Sequence, residues 1–152
     1  MNKVKLQEFL IKARTNTYAK GKGKVKPALL GSEQLEYKEK SWLYRDVYFI
    51  GNGIFAGLET IYFQKKPVWS MSYFGNFKSL SEQEIDKILR KALIENANKT
   101  RLWNLVEWEF ENYKYICEPD SKAHIDELGG SEKILKNDQQ VYFFYYAGGF
   151  IG

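Results

Sequence analysis

The stretch Trp42-Leu-Tyr-Arg-Asp-Val-Tyr-Phe-Ile-Gly51-Asn52-Gly53-Ile54-Phe-Ala-Gly-Leu-Glu-Thr-Ile-Tyr-Phe63 decides the fold. Aromatic and β-branched residues crowd both sides of Gly51-Asn52-Gly53, and asparagine and glycine tolerate the positive φ that a tight hairpin turn demands. The stretch therefore reads as two long antiparallel strands, 42–50 and 54–63. Outward from it, Gln64-Lys-Lys-Pro67 turns the chain into a strand over 68–74, with Pro67 at a strand start, where its missing N–H does little harm. A short strand over 34–38 precedes the hairpin. Further strands are predicted over 104–111, 113–117, around 132–135 and over 140–147. In the first of these Val106, Trp108 and Phe110 alternate with Glu107, Glu109 and Glu111, the pattern of a strand with one wet face.

Two segments carry helical spacing. Leu6, Phe9, Leu10 and Ala13 predict an amphipathic helix over about 2–15. The second begins at Ser81, with Glu84 three residues on in the reciprocal capping-box arrangement, and Ile85, Ile88, Leu89, Ala92 and Leu93 line one face through about Asn96.

The chain also resembles itself. Shifting it by 73 residues aligns 35–77 with 108–150 without a gap, and eight of the 43 positions are identical, among them Gly57/Gly130, Glu59/Glu132, Tyr73/Tyr146 and Gly75/Gly148. Unrelated sequences match at roughly one position in sixteen, and repeats are worth testing for first. The expectation is an α+β fold in which two helix-plus-antiparallel-meander units, about 1–78 and 79–152, pack as one pseudo-twofold domain with the helices on one side of the sheet.

Composition narrows the function. Aromatic residues make up 16% of the 152 residues (4 Trp, 11 Tyr, 10 Phe), ample for a packed core. A single Cys117 and a single His124 leave little material for metal clusters or His-based triads, so no metal or cofactor is expected. No apolar run reaches the roughly 18 residues of a membrane span. Lys3, Lys5 and Glu8 interrupt the N-terminal segment, so a cytoplasmic protein is expected. Residues 1–78 hold 14 Lys/Arg against 6 Asp/Glu, and residues 79–152 hold 9 against 13. That asymmetry fits an anionic partner or head-to-tail pairing of two copies. Much of the excess lies in Lys20-Gly-Lys-Gly-Lys-Val-Lys26, which lacks the Walker pattern and reads as a mobile solvated loop. Nucleic-acid binding is not expected, because the aromatics fall at core parity.

Chemistry concentrates on the hairpin. Side chains alternate across a strand, so Phe55, Gly57, Glu59, Ile61 and Phe63 share one face and Ile54, Ala56, Leu58, Thr60 and Tyr62 the other. Both faces are apolar, as in a strand buried on both sides, and Glu59 is the one charge in it. Gly57 leaves open space beside that acid. Tyr44, Asp46 and Tyr48 share a face of the preceding strand, and Trp69, Met71 and Tyr73 a face of the following one. This is an aromatic cleft with an acid at its base, suited to a small cationic or planar aromatic ligand. The bland reading makes the same residues a structural network, and it is the better one for Glu132.

The residues Ala13-Arg14, Thr17-Tyr18-Ala19, Leu35-Glu36-Tyr37, Tyr44-x-Asp46-x-Tyr48, Phe55-x-Gly57-x-Glu59 and Pro67-x-Trp69-x-Met71-x-Tyr73-x-Gly75, with Val141-Tyr142 and Tyr146-x-Gly148-Gly149, resemble a bacterial family, domain of unknown function 5680. Its members occur alone and at the C-terminus of helix-turn-helix regulators. Leu58 and Ser72 stand where the family pattern has a second acid and an asparagine. The resemblance implies this fold and a bacterial cytoplasmic setting; it brings no established activity. The chain leaves no room for a helix-turn-helix of its own, so operator binding is not expected. The leading expectation is a non-catalytic ligand-binding or sensor domain using Tyr44, Asp46, Tyr48, Glu59, Trp69 and Tyr73. The alternatives are a protein-interaction module, a homodimer among its forms, and a small enzyme using Asp46 and Glu59 as acid and base.

Overall fold

In a computed structural model, which describes residues 2–152, all eight strands join one antiparallel sheet. The strands are β1 (Glu33–Glu39), β2 (Trp42–Gly51), β3 (Ile54–Phe63), β4 (Lys66–Asn76), β5 (Val106–Phe110), β6 (Tyr113–Pro119), β7 (Glu127–Lys136) and β8 (Gln139–Phe150). Their order is β1-β2-β3-β4-β8-β7-β6-β5, so two four-stranded meanders meet where β4 pairs with β8. The β2–β3 turn places Asn52 at φ 57° and Gly53 at φ 68°. Positive φ at both central residues matches the right-handed twist of the strands they join.

Two helices pack on one face of this sheet, α1 (Lys3–Asn16) and α2 (Glu82–Glu95). Asn2 caps α1, its side chain accepting from the amides of Val4 and Lys5. Ser81 caps α2 by accepting from the Glu84 amide at 3.1 Å. The reciprocal half of the expected capping box is absent among the described residues. The Glu84 carboxylate is drawn away to the Tyr113 hydroxyl and to Lys136. Leu6, Phe9, Leu10 and Ala13 of α1 and Ile85, Ile88, Leu89, Ala92 and Leu93 of α2 are all buried, as their spacing predicts. They form one core with Tyr44, Ile61, Trp69, Met71, Tyr142 and Phe144 from the sheet.

Among the described residues none forms a layer over the other face of the sheet. Leu58 is 47% exposed, which corrects the reading of β3 as buried on both sides. Phe49, Ala56, Phe74 and Tyr145 stand opposite one another on β2, β3, β4 and β8, an apolar row across the open face. The edges are managed differently. β5 is short and carries Glu107 and Glu109, and charge on a short edge strand discourages further pairing. At the β1 edge the Val25 amide donates to the Gln34 carbonyl at 3.0 Å and the Glu36 amide to the Gly23 carbonyl at 2.8 Å. The lysine-rich segment is thus held along the edge of the sheet by its backbone, where the sequence suggests a mobile loop, and its lysines point to solvent.

Candidate functional site

Between the helices and the sheet lies a cavity of about 180 Å³. Its floor comes from the buried face of β2, β3, β4 and β8, and its walls from the end of α1, the turn after it and α2. Tyr44, Asp46, Tyr48, Glu59 and Tyr73 all line it, so strand parity correctly gathers five of the six candidate residues. Trp69 does not line it. It is fully buried at the far end of β4, where its indole N–H donates to the Ile125 carbonyl at 3.1 Å.

Two acids face each other across the β2–β3 ladder, Asp46 directly opposite Glu59. Their surroundings differ. Arg14, from the last turn of α1, grips Glu59 through Nη2 at 2.7 Å and Nε at 3.0 Å, and its Nη1 donates to the Arg101 carbonyl at 3.0 Å. Planar guanidinium against carboxylate is the strongest common form of buried ion pair. Asp46 accepts a hydrogen bond from the Tyr73 hydroxyl at 2.6 Å, and no Lys or Arg pairs with it among the described residues. Burial, and after it the charge of Glu59, push the Asp46 carboxyl up to about 7. Burial raises the neighbouring Tyr48 hydroxyl to about 12, with Asp46 adding to the effect.

The Tyr73–Asp46 bond spans two strand spacings, because β3 lies between β4 and β2. Gly57 makes the crossing feasible. Tyr73 stands opposite it, and a Cβ at position 57 would collide with the phenol. The open space expected beside Glu59 is therefore filled by the Tyr73 ring. Gly57→Ala should lower stability by about 1–3 kcal/mol through overpacking. In a Tyr73→Leu background the same substitution should cost less, with the Tyr48 Cβ left as the remaining obstacle. Denaturant unfolding of the double-mutant cycle measures this, and additive losses would show that the ring is not the obstacle.

Glu132, the counterpart of Glu59, sits outside the cavity lining in a closed network. Arg101 donates to it at 2.6 and 2.9 Å, Tyr115 at 2.5 Å and Tyr142 at 2.7 Å. Burial opposes its ionisation, but Arg101 and the two tyrosines hold its pKa below the ordinary value. Cys117 is buried beside this network, and burial raises its thiol pKa. His124 is exposed and stacks on Trp103 with ring centroids 5.5 Å apart.

Sequence reasoning misses the helical side of the cavity. Tyr18 donates to Asp86 at 2.6 Å, Arg90 meets Asp86 at 3.3 Å, and the Arg90 guanidinium lies 4.9 Å over the Tyr18 ring. Arg14 leaves a faint signal, continuing the Leu6–Leu10 stripe at i+4. Arg101 leaves none, since it lies in a turn. Among the described residues no group of three or more His, Cys, Asp or Glu is placed to hold a metal ion. Among the described residues no helix is long and apolar enough to cross a membrane.

The family described as Domain of unknown function (DUF5680) matches residues 46–151, and the chain belongs to that family. No curated protein and no solved structure matches it.

Proposed function

We propose that this member of the DUF5680 family is a non-catalytic small-molecule-binding or sensor protein whose site is the cavity above Asp46. The observation that carries the reading is a buried acid left without a cation. Only 7% of Asp46 is exposed, and its ionisation in the folded state is unfavourable. A carboxylate kept merely for structure is expected to be paired, as Glu59 is by Arg14 and Glu132 by Arg101. The rings of Tyr44, Tyr48 and Tyr73 around it suit a small cationic or aromatic ligand. Proton transfer by Asp46 with Glu59 is less well served, because Arg14 occupies both oxygens of Glu59 and a single free acid remains.

The test is a thermal-shift screen of cationic aromatic compounds, nucleotides and common metabolites against the wild type and Asp46→Asn. Glu59→Gln is the poorer probe, since breaking its ion pair with Arg14 lowers stability whatever the function. A ligand at a hundredfold excess over its Kd adds about 2.7 kcal/mol of stability. A compound that shifts the wild type and not Asp46→Asn supports the reading; a screen in which nothing shifts the wild type overturns it.

One observation favours a second reading, a protein-interaction module. Phe49, Phe74 and Tyr145 are 47%, 48% and 57% exposed on the uncovered face. Concentration-dependent sedimentation that is lost in Phe74→Ser would favour it.

We also infer that residues 1–78 and 79–152 are two copies of one unit packed as a single domain. Supporting this, Tyr73 lies opposite Tyr146, its counterpart at an offset of 73, on the two strands that join the meanders. Gly130 also lies under the Tyr146 phenol, as Gly57 lies under that of Tyr73.

A further inference from the structure

Residues 20–32, Lys-Gly-Lys-Gly-Lys-Val-Lys-Pro-Ala-Leu-Leu-Gly-Ser, carry four lysines and no acid. Their first half lies along β1, where Lys24 bridges Leu35 in antiparallel fashion. The chain then leaves the sheet edge and closes a tight turn. The Ser32 amide donates to the Leu29 carbonyl at 3.2 Å, and the Ser32 hydroxyl donates to the same oxygen at 2.8 Å. Gly31 supplies the positive φ, 78°, that the third position of a type II turn needs. The buried Gln34 side chain accepts from the Ala28 amide at 2.9 Å and fixes the approach to the turn. At its outermost point stand two leucines, Leu30 fully exposed and Leu29 more than half exposed. Single exposed leucines are common on protein surfaces. Here two are neighbours on a fixed turn, and they have company. Glu33 pairs with Tyr48, so the turn lies at the end of the sheet where β2 runs out through the exposed Phe49 and Ile50. Lys78 is exposed at the same end, beside the Gly53 turn. The acids there are Glu33, paired with Lys24 at 2.6 Å, and Glu82 at the start of α2. Against them stand Lys22, Lys24, Lys26 and Lys78.

We propose that this end of the molecule docks on an anionic lipid surface, with Leu29 and Leu30 entering the interface and the lysines lying over the headgroups. Charge selects an anionic partner, and shape selects a bilayer. A convex tip of two leucines cannot bury the roughly 1,200 Å² or more of a stable protein interface. A bilayer needs no matching contour, because its acyl chains close around any apolar protrusion. Leucine offers no ring face on which a base can stack, which argues against single-stranded nucleic acid. Neither half of the device suffices alone. Two leucines bury less apolar surface than one acyl chain, which by itself binds only marginally, so the lysines supply the necessary second signal. Their stems can lie along the apolar layer while the ammonium groups stay with the lipid phosphates. The chain would lie on the membrane without spanning it.

Co-sedimentation of the full chain with vesicles tests this. The wild type should bind vesicles of phosphatidylcholine carrying about a quarter phosphatidylglycerol and should not bind phosphatidylcholine alone. Raising the salt from about 0.1 M to about 1 M, which shortens the Debye length from about 10 Å to about 3 Å, should release it. Leu29→Ser combined with Leu30→Ser should weaken binding by about tenfold or more. Lys22→Gln combined with Lys26→Gln should weaken it by about twentyfold, near fivefold for each charge. All four positions are exposed, so both variants should keep the wild-type Tm. Should either fail to fold, Leu30→Ser alone, at a fully exposed position, decides the point. Undiminished binding of the leucine variant would mean a plain polyanion-binding surface and overturns the proposal. Equal binding to the neutral vesicles overturns the part given to the lysines, and no binding to the anionic ones overturns the whole. Asp46→Asn should bind the vesicles as the wild type does, so this result stands or falls apart from the cavity reading.

Discussion

Glu132→Gln should destabilise the protein by about 3–5 kcal/mol, the usual consequence of leaving a buried charge without its partner. For a chain of this size that is a fall in Tm of roughly 10 °C, at about 2–4 °C per kcal/mol. Arg101, only 11% exposed at its side chain, would keep its charge and lose the carboxylate. Tyr115 and Tyr142 would have to share what one amide can accept. Removing Arg101 as well should recover only part of the loss, because the two hydroxyls must still share one amide oxygen. The pH dependence has a definite sign. A carboxyl held below its ordinary pKa contributes stability that is present at neutral pH and is lost as the solution is acidified through the native pKa. The variant should therefore show a flatter acid limb than the wild type below about pH 4.5. Equal stability of variant and wild type at pH 7 would remove the buried ion pair from the account of the fold.

Asp46→Asn should act in the opposite direction and make the protein more stable at pH 8. The groups facing Asp46 are Tyr44 and Tyr48 on its own strand, Glu59 on β3, Tyr73 on β4, Arg14 from α1 and Arg101 after α2, with Asp86 and Glu82 across the cavity. Burial and Glu59 together outweigh the Tyr73 hydrogen bond and the more distant arginines, so the native carboxyl titrates at about 7 against an ordinary 3.8. The folded chain thus keeps a proton that the unfolded chain releases near pH 4. Stability falls as pH rises from 4 to 7 and is level above that, and the whole loss is on the order of 4 kcal/mol at 1.36 kcal/mol per unit. Asparagine keeps an oxygen for the Tyr73 hydroxyl and carries no charge to desolvate. The wild type and the variant should be nearly equal at pH 4 and diverge toward pH 8 in urea unfolding. A variant less stable than the wild type at pH 8 would mean that Asp46 contributes to the fold, and the functional reading would lose its main support. The affinity of the cavity for a cationic ligand should rise over the same interval as the acid ionises.

How far the sequence shows this arrangement depends on the distance over which each signal acts. Hairpins are legible because alternation and turn residues act over a few positions: β3 runs over 54–63 as read, and the strict alternation at Val106–Phe110 is the strand with one wet face, its glutamates exposed. The strand read around 132–135 is only part of β7, which begins at Glu127 and runs through Gly129-Gly130-Ser131, residues with little strand propensity. In the fold those glycines are required, since a Cβ at Gly130 would strike the Glu118 carbonyl and the Tyr146 phenol. At the site, parity sorted the residues of β2, β3 and β4 onto the correct face. Parity says nothing about position along the strand, and so Trp69 was gathered with Tyr73 although it lies toward Ile125. The α+β class was readable from element types alone. Arg14 lies 45 residues from the acid it holds, and Arg101 lies 31 residues from Glu132. No local pattern encodes such pairs; they exist only once α1 and the turn after α2 have packed on the sheet.

The phenol that crosses a glycine also orders the history open to this sequence. A larger residue at position 57 is accepted only after position 73 has lost its ring, while the reverse order passes through an overpacked intermediate. Among descendants of this chain, glycine at 57 should therefore persist wherever tyrosine remains at 73. A lineage that discards the tyrosine releases Asp46 from its hydrogen bond and leaves position 57 still bounded by the Tyr48 Cβ. These three positions, on three adjacent strands, should change as a single heritable unit.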